Sequence, residues 1–213
     1  DAAALAQTLV RSSDVPSVVV SEPGTETVLA PGTLVGDRYR IEAHVATGGM
    51  GQVYRATQVN LKRTVALKML RRVYTTDPAM WMRFQREAEL VSQLESPHVV
   101  RVFDFGQSAS DEPFLAMEWV EGPTLESVVQ HGPLSPQRGV KILLDVCEGL
   151  AEAHSLGVIH RDLKPANFML AKRRDGTELA KILDFGIARL SSRAVTPESQ
   201  KLTQVGIVVG TPA

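Results

Sequence analysis

Between positions 160 and 167 the chain reads HRDLKPAN. A carboxylate, Asp162, stands two residues before an amine, Lys164, and five before an amide, Asn167. An acid so placed can orient a hydroxyl and accept its proton, the amine can neutralise a phosphoryl group in transfer, and the amide oxygen is a hard donor for Mg2+. His160 reads as a packing residue. A second acid, Asp184, ends the run KILD and is followed by Phe-Gly, a carboxylate at a strand end beside a turn, which suits a metal ligand.

Two stretches upstream carry weaker signals. In VALK, Lys68 falls on a strand, and Glu87 lies nineteen residues on, within a helical pattern. A strand lysine directed at a phosphate needs an acid to hold it, or it extends to solvent, and Glu87 is the expected holder. ATGGMGQVYRA places Gly48, Gly49 and Gly51 at a strand-to-strand turn, where backbone N–H groups can approach a phosphate with no side chain between. A plain hairpin reads the same way.

The elements that must position these groups follow from pattern and punctuation. RYRIEAHVA, GQVYRATQVN and RTVALKML predict three antiparallel strands, and HVVRVFDFG and PFLAMEWV two more. Between the two sets, DPAMWMRFQREAELVSQLE has apolar residues at helical spacing, with Asp77 as N-cap and Pro78 at the first helical position. The chain turns helical after EGPTL. SPQRGVKILLDVCEGLAEAHSLG opens on Ser135–Pro136 and closes on Gly157. This helix has two apolar stripes, Val140, Leu143, Leu144 and Cys147 on one side and Ile142, Val146, Leu150 and Ala153 on the other, so it needs neighbours on several sides. Residues 1–33 are poor in large apolar side chains and broken by DVP, EPG and APG, which reads as a flexible leader or linker.

Composition narrows the function classes. The 213 residues are 44% hydrophobic and 22% charged with a net charge of -1, so no bulk charge points to nucleic acid or to a membrane surface. One cysteine, Cys147, excludes an internal disulfide and a multi-thiolate metal site within the chain. No apolar run reaches the roughly 20 residues of a membrane span.

In order and spacing, the glycine loop, VALK lysine, helix glutamate, HRDLKPAN and DFG resemble the protein kinases over about residues 36–213. HRDLKPAN looks like the serine/threonine branch, and GGMGQVYRA and MEWVEGPTL look like the eukaryotic-like kinases of bacteria. The resemblance implies a two-lobed α+β fold. A five-stranded antiparallel sheet with one helix forms the N-lobe (34–120), and a mainly helical, incomplete C-lobe (121–213) ends in the activation segment. It implies phosphorylation of protein serine or threonine hydroxyls with ATP and Mg2+, in the cytoplasm, with any membrane anchor outside this chain. It also implies a dimer of the parent for trans-autophosphorylation.

Roles then follow residue by residue. Gly48, Gly49 and Gly51 would cover the phosphates. Val53 and Ala66 would roof the adenine, Met169 would floor it, and Met117 would be the gatekeeper. The backbones of Glu118 and Val120 would bind the adenine edge. Lys68, paired with Glu87, would hold the α- and β-phosphates, Asn167 and Asp184 would hold Mg2+, Asp162 would be the base and Lys164 its companion. Val91, His160 and Phe185 would pack between the lobes. Arg161 suggests a loop switched by phosphorylation, with Thr203 as the expected site. Ala46 stands where the family has its first loop glycine, and costs little there if its φ is negative. The terminal GTPA resembles the run toward the A-P-E motif, so a kinase fragment is expected. Two other readings compete: a non-catalytic nucleotide-binding scaffold, and a small-molecule phosphotransferase of related fold, against which HRDLK argues.

Overall fold

The computed structural model describes residues 28–49, 51–71, 78–173 and 175–185. Asp77 and residues 186–213, with the expected phosphorylation loop and Thr203, lie outside the described residues.

Strands β2 (Tyr39–Gly48), β3 (Gly51–Gln58) and β4 (Arg63–Leu70) form an antiparallel meander, and β5 (Val102–Gln107) and β6 (Pro113–Glu118) extend it past β4. The order is β1-β2-β3-β4-β6-β5, where β1 (Leu34–Val35) is a two-residue strand added to the five expected. The sheet curls until its two ends meet. Asp104 of β5 accepts a hydrogen bond from Tyr39 Oη (2.7 Å) and pairs with Arg38 (2.7 Å) at the start of β2. Inside the curl, Tyr39, Ile41, Tyr54, Ala56, Val65, Leu67, Phe114 and Ala116 make one apolar core. The end of the expected leader already belongs to this half: Leu29 packs on that core and donates its N–H to Tyr54 Oη.

Helix α1 (Pro78–Ser92) begins on the proline, as its fixed φ favours. It buries Phe84, Ala88 and Val91, spaced for one helical face, into the second and larger core. That core continues into the other half of the molecule, and the loop after α1 is the joint. Glu152 accepts hydrogen bonds from the backbone N–H groups of Glu95 (2.7 Å) and Ser96 (2.6 Å). Farther along, the Ile182 N–H donates to the His98 carbonyl (2.8 Å) and the Val100 N–H to the Ile182 carbonyl (2.9 Å).

In the second half, α2 (Leu125–Gln130) is capped by Thr124, and α3 (Pro136–Ser155) by Ser135, whose hydroxyl accepts from the Arg138 N–H. The two stripes of α3 separate as their spacing requires: Ile142, Val146 and Ala153 are buried, whereas Val140, Leu143 and Leu144 are each more than half exposed. A short 3-10 turn, Pro165–Asn167, leads into the hairpin of β7 (Phe168–Lys172) and β8 (Glu178–Ile182). Gly122 lets the linker after β6 lie on this hairpin. Its φ is 151°, and a Cβ there would stand 2.2 Å from the Leu170 carbonyl oxygen. Among the described residues no helix is long and apolar enough to cross a membrane.

Candidate functional site

A cavity of about 550 Å3 opens between the curled sheet, α1 and the segments around Asp162 and Asp184. Its mouth is the β2–β3 turn, where Ala46, Thr47, Gly48, Gly49 and Gly51 line it. Gly51 is obligatory: φ is 143°, and a Cβ would fall 1.9 Å from the Met69 carbonyl oxygen. Around Gly48 and Gly49 nothing lies within 4 Å of an added Cβ, so their backbone faces open space. Ala46 is outside the positive-φ set, so its side chain costs no backbone strain.

The polar groups converge on the floor. Lys68 Nζ lies 2.7 Å from Asp184 Oδ1 and Lys164 Nζ 3.0 Å from Asp162 Oδ2. Asn167 donates through Nδ2 to the Asp162 carbonyl (2.7 Å), which leaves its Oδ1 for a cation. His160 is buried and holds the two acidic segments together. Its Nδ1 accepts from the Asp162 N–H (3.3 Å) and its Nε2 donates to the Leu183 carbonyl (2.7 Å), a pattern that requires the neutral Nε2–H tautomer. The Phe185 ring packs 4.9 Å from its imidazole. Arg161 (φ 63°) and Asp184 (φ 47°) both have left-handed backbone, a strained setting that tertiary contacts must hold and that is common where function fixes geometry.

One expected pairing is not formed. Lys68 sits on Asp184 rather than on Glu87, and Glu87 Oε1 instead faces Arg161 Nη1 at 3.5 Å. Glu87 is 6% exposed, and its Oε2 is buried without a hydrogen-bond partner. Burial pushes its carboxyl up to about 7, while the Arg161 charge pulls the other way. Lys68 and Arg161 carry the same charge, so position decides: α1 stands where Glu87 reaches the Arg161 side and Asp184 takes the lysine.

The adenine-edge expectations also fall differently. Val53 and Met117 line the cavity, but Ala66, Glu118, Val120 and Met169 are not part of its lining. Ala66 is paired with Met117 across β4 and β6, and Met169 with Lys181 across β7 and β8. The enclosed space runs instead behind Met117 toward α1 and β5, where Leu70, Phe84, Val91, Val100, Val102, Leu115 and Phe185 wall it. Sequence reasoning assigned Val91 and Phe185 to packing and gave the other five no role. Buried apolar residues on strands read as core, and no spacing signal separates a cavity wall from a filled interior.

A family profile described as protein kinase domain matches residues 39–208. The chain is 43% identical over 182 residues to the serine/threonine-protein kinase pkn3 of Myxococcus xanthus, an overlap of 85% of this chain and 33% of that protein. With pkn2 of the same organism it shares 46% over 187 residues, which is 87% of this chain and 22% of the relative. Among solved structures it is similar to the kinase domain of PknI from Mycobacterium tuberculosis, with a TM-score of 0.66 and 29% identity, covering 75% of this chain and 62% of that one. The chain thus spans a third or less of the length of these two curated relatives. With the matched region enclosing both the glycine turn and the Asp162–Asp184 floor, the chain belongs to the protein kinase domain family.

Proposed function

We propose that the protein carrying this domain transfers the γ-phosphoryl group of ATP to serine and threonine hydroxyls of protein substrates. The observation that carries this reading is the convergence of Lys68, Asp162, Lys164, Asn167 and Asp184 on one cavity that Gly48, Gly49 and Gly51 of the β2–β3 turn also line. A small-molecule phosphotransferase explains the acids less well, because Arg161 and Lys164 flank the aspartate. The residues present fit a nucleotide and a divalent cation. Two cation-compatible oxygens, on Asn167 and Asp184, lie beside a lysine, and the turn above them exposes backbone where side chains would obstruct.

When bound, ATP would supply the phosphoryl group, and Mg2+, which Asn167 and Asp184 would hold, would draw charge from its oxygens. Asp162, two positions before Lys164 and within reach of its amine, orients the substrate hydroxyl and accepts its proton. Lys164 neutralises charge at the same point. Lys68 holds the α- and β-phosphates, which requires it to leave Asp184 Oδ1 so that Asp184 and Asn167 can take the cation. Glu87, released from Arg161, then takes the lysine. Phosphate on Thr203 would draw Arg161 away from Glu87 and couple loop phosphorylation to that exchange. Two copies of the parent would phosphorylate each other's loops.

Lys68→Ala in the full-length protein tests the reading. Transfer from γ-labelled ATP should fall by at least ~100-fold with the unfolding midpoint little changed, since loss of a positioned charge at a transferring phosphoryl group costs about that much. Wild-type turnover by a folded Lys68→Ala protein would remove Lys68 from the site.

A further inference from the structure

The approach to the glycine turn is not a regular ladder. Strand β2 slips its register with β3 twice on the way there, between Ile41 and Ala43 and again between His44 and Ala46. Each irregularity locally disrupts the backbone pairing. Beyond them, nothing lies within 4 Å of a Cβ added at Gly48 or Gly49. A side-chain tie spans the second irregularity. His44 Nε2 lies 2.9 Å from Thr47 Oγ1, and Thr47 itself lines the cavity. A hydroxyl donates or accepts as the imidazole requires, so the bond forms with either tautomer. His44 in turn rests on a fixed wall. It pairs with Tyr54 across β2 and β3, and the two rings meet edge to face at 5.4 Å and 71°. Tyr54 is fully buried, and its Oη accepts from the Leu29 N–H at 3.0 Å and donates to Gln52 Oε1. Gln52 stands opposite Thr47 in the strand register, so the thread closes on the turn from which it began.

An exposed hydrogen bond between side chains three residues apart adds little to the stability of a domain. Its place gives it another use. A turn that holds an anion by backbone N–H groups works best when those groups already point together, since ordering them on binding costs affinity. We propose that His44, acting through Thr47, is a positioning residue for the phosphates of the nucleotide. The bond fixes the backbone at Thr47 and Gly48 against the buried Tyr54 wall, and so sets where the N–H groups of Gly48 and Gly49 stand over the cavity. This rests on the reading that the turn meets the phosphates of ATP, and it requires nothing of the base. Ala46 and Val53, a facing pair, both line the cavity, whereas His44 and Tyr54 occupy the opposite face of the sheet. A change at His44 therefore acts on a bound nucleotide through the turn.

The experiment compares two ligands on the full-length protein and its variants: a non-hydrolysable ATP analogue with Mg2+, by calorimetry, and adenosine, by ligand-observed NMR titration. Thr47→Val keeps the branched shape and removes the hydroxyl, and His44→Phe keeps a ring against Tyr54 and removes the nitrogen. In each, Kd for the ATP analogue should rise about fivefold, the worth of one hydrogen bond. Kd for adenosine, which carries no phosphate, should change less than ~twofold. The double variant should bind no more weakly than either single one, since both remove the same bond. Thr47→Ser, which restores the hydroxyl, should bind the analogue within ~twofold of wild type. Equal weakening of both ligands, no change in either, or additive losses in the double variant overturn the proposal and leave a surface hydrogen bond. A wild-type protein that binds the analogue no more tightly than adenosine overturns the reading that the turn meets phosphates, and the proposal with it. If His44→Phe fails to fold, Thr47→Val against Thr47→Ser carries the same comparison, and equal affinities of those two for the analogue overturn the proposal.

Discussion

Replacing Glu87 with glutamine should remove a large part of the pH dependence of the domain's stability. The carboxyl is 6% exposed, one of its oxygens has no hydrogen-bond partner among the described residues, and the charged group facing it there, Arg161, stands at 3.5 Å. Burial therefore dominates and raises its ionisation from 4.5 to about 7. That displacement corresponds to about 3 kcal/mol between the two protonation states. The sign follows from which state holds the proton more tightly. Here it is the folded state, so the penalty is absent below about 4.5, grows as pH rises through the window, and is complete above about 7. Glutamine keeps the shape and cannot ionise. The Arg161 attraction is already inside that net displacement, and the buried amide, short of hydrogen-bond partners, gives back about 1 kcal/mol. At pH 8 the variant should thus be more stable than the wild type by about 1–2 kcal/mol, and at pH 5 equal or slightly less stable. Urea unfolding of the full kinase domain at pH 5, 6, 7 and 8 measures this directly. Parallel stability curves for the two proteins across that range would refute the reasoning, because they would mean that Glu87 titrates alike in the folded and unfolded states.

Glu152→Ala should loosen the joint between the halves. It removes two charge-assisted bonds to the Glu95 and Ser96 N–H groups, at a cost of about 2 kcal/mol given their partial exposure. Amide exchange at those two positions should accelerate by at least ~10-fold, and unchanged protection there would show that another group caps the loop. Phosphopeptide mapping of the active full-length protein should find phosphate between Ser191 and Thr203, with Thr203 the main site, whereas an unmodified stretch would remove the proposed link to Arg161.

Much of the scaffold was legible because its signals are local. The alternation of Tyr39, Arg40, Ile41 and Glu42 matches a strand with one buried face, and the run buries in that order. Ser135–Pro136 and Gly157 mark the ends of α3 by capping chemistry, and the helix ends within two residues of both. Helix α2 had no such visibility. Six residues hold less than two turns, too few for a period to show, and only the Thr124 cap signals it. Strand β1 is shorter still and exists because Leu34 and Val35 pair with Arg40 and Tyr39. In the site, order along the chain told which residues would gather, but not which charge would face which. Lys68, Glu87, Arg161 and Asp184 form two ion pairs in either of two ways, and the choice depends on where α1 docks, a tertiary matter that spacing does not encode. The rear wall of the cavity was hidden for a related reason: Phe84, Val100 and Val102 are chemically the same whether they line space or fill it.

The central claim is that Asp162 acts on the hydroxyl while other residues hold the nucleotide. The measurement that isolates it is a paired assay of Asp162→Asn in the full-length protein, with nucleotide affinity by calorimetry and phosphoryl transfer from γ-labelled ATP to protein serine and threonine. ATP·Mg2+ affinity should stay within ~threefold of wild type while transfer falls by at least ~100-fold, the usual worth of a positioned general base. Transfer at the wild-type rate, or nucleotide binding lost together with transfer, would contradict it.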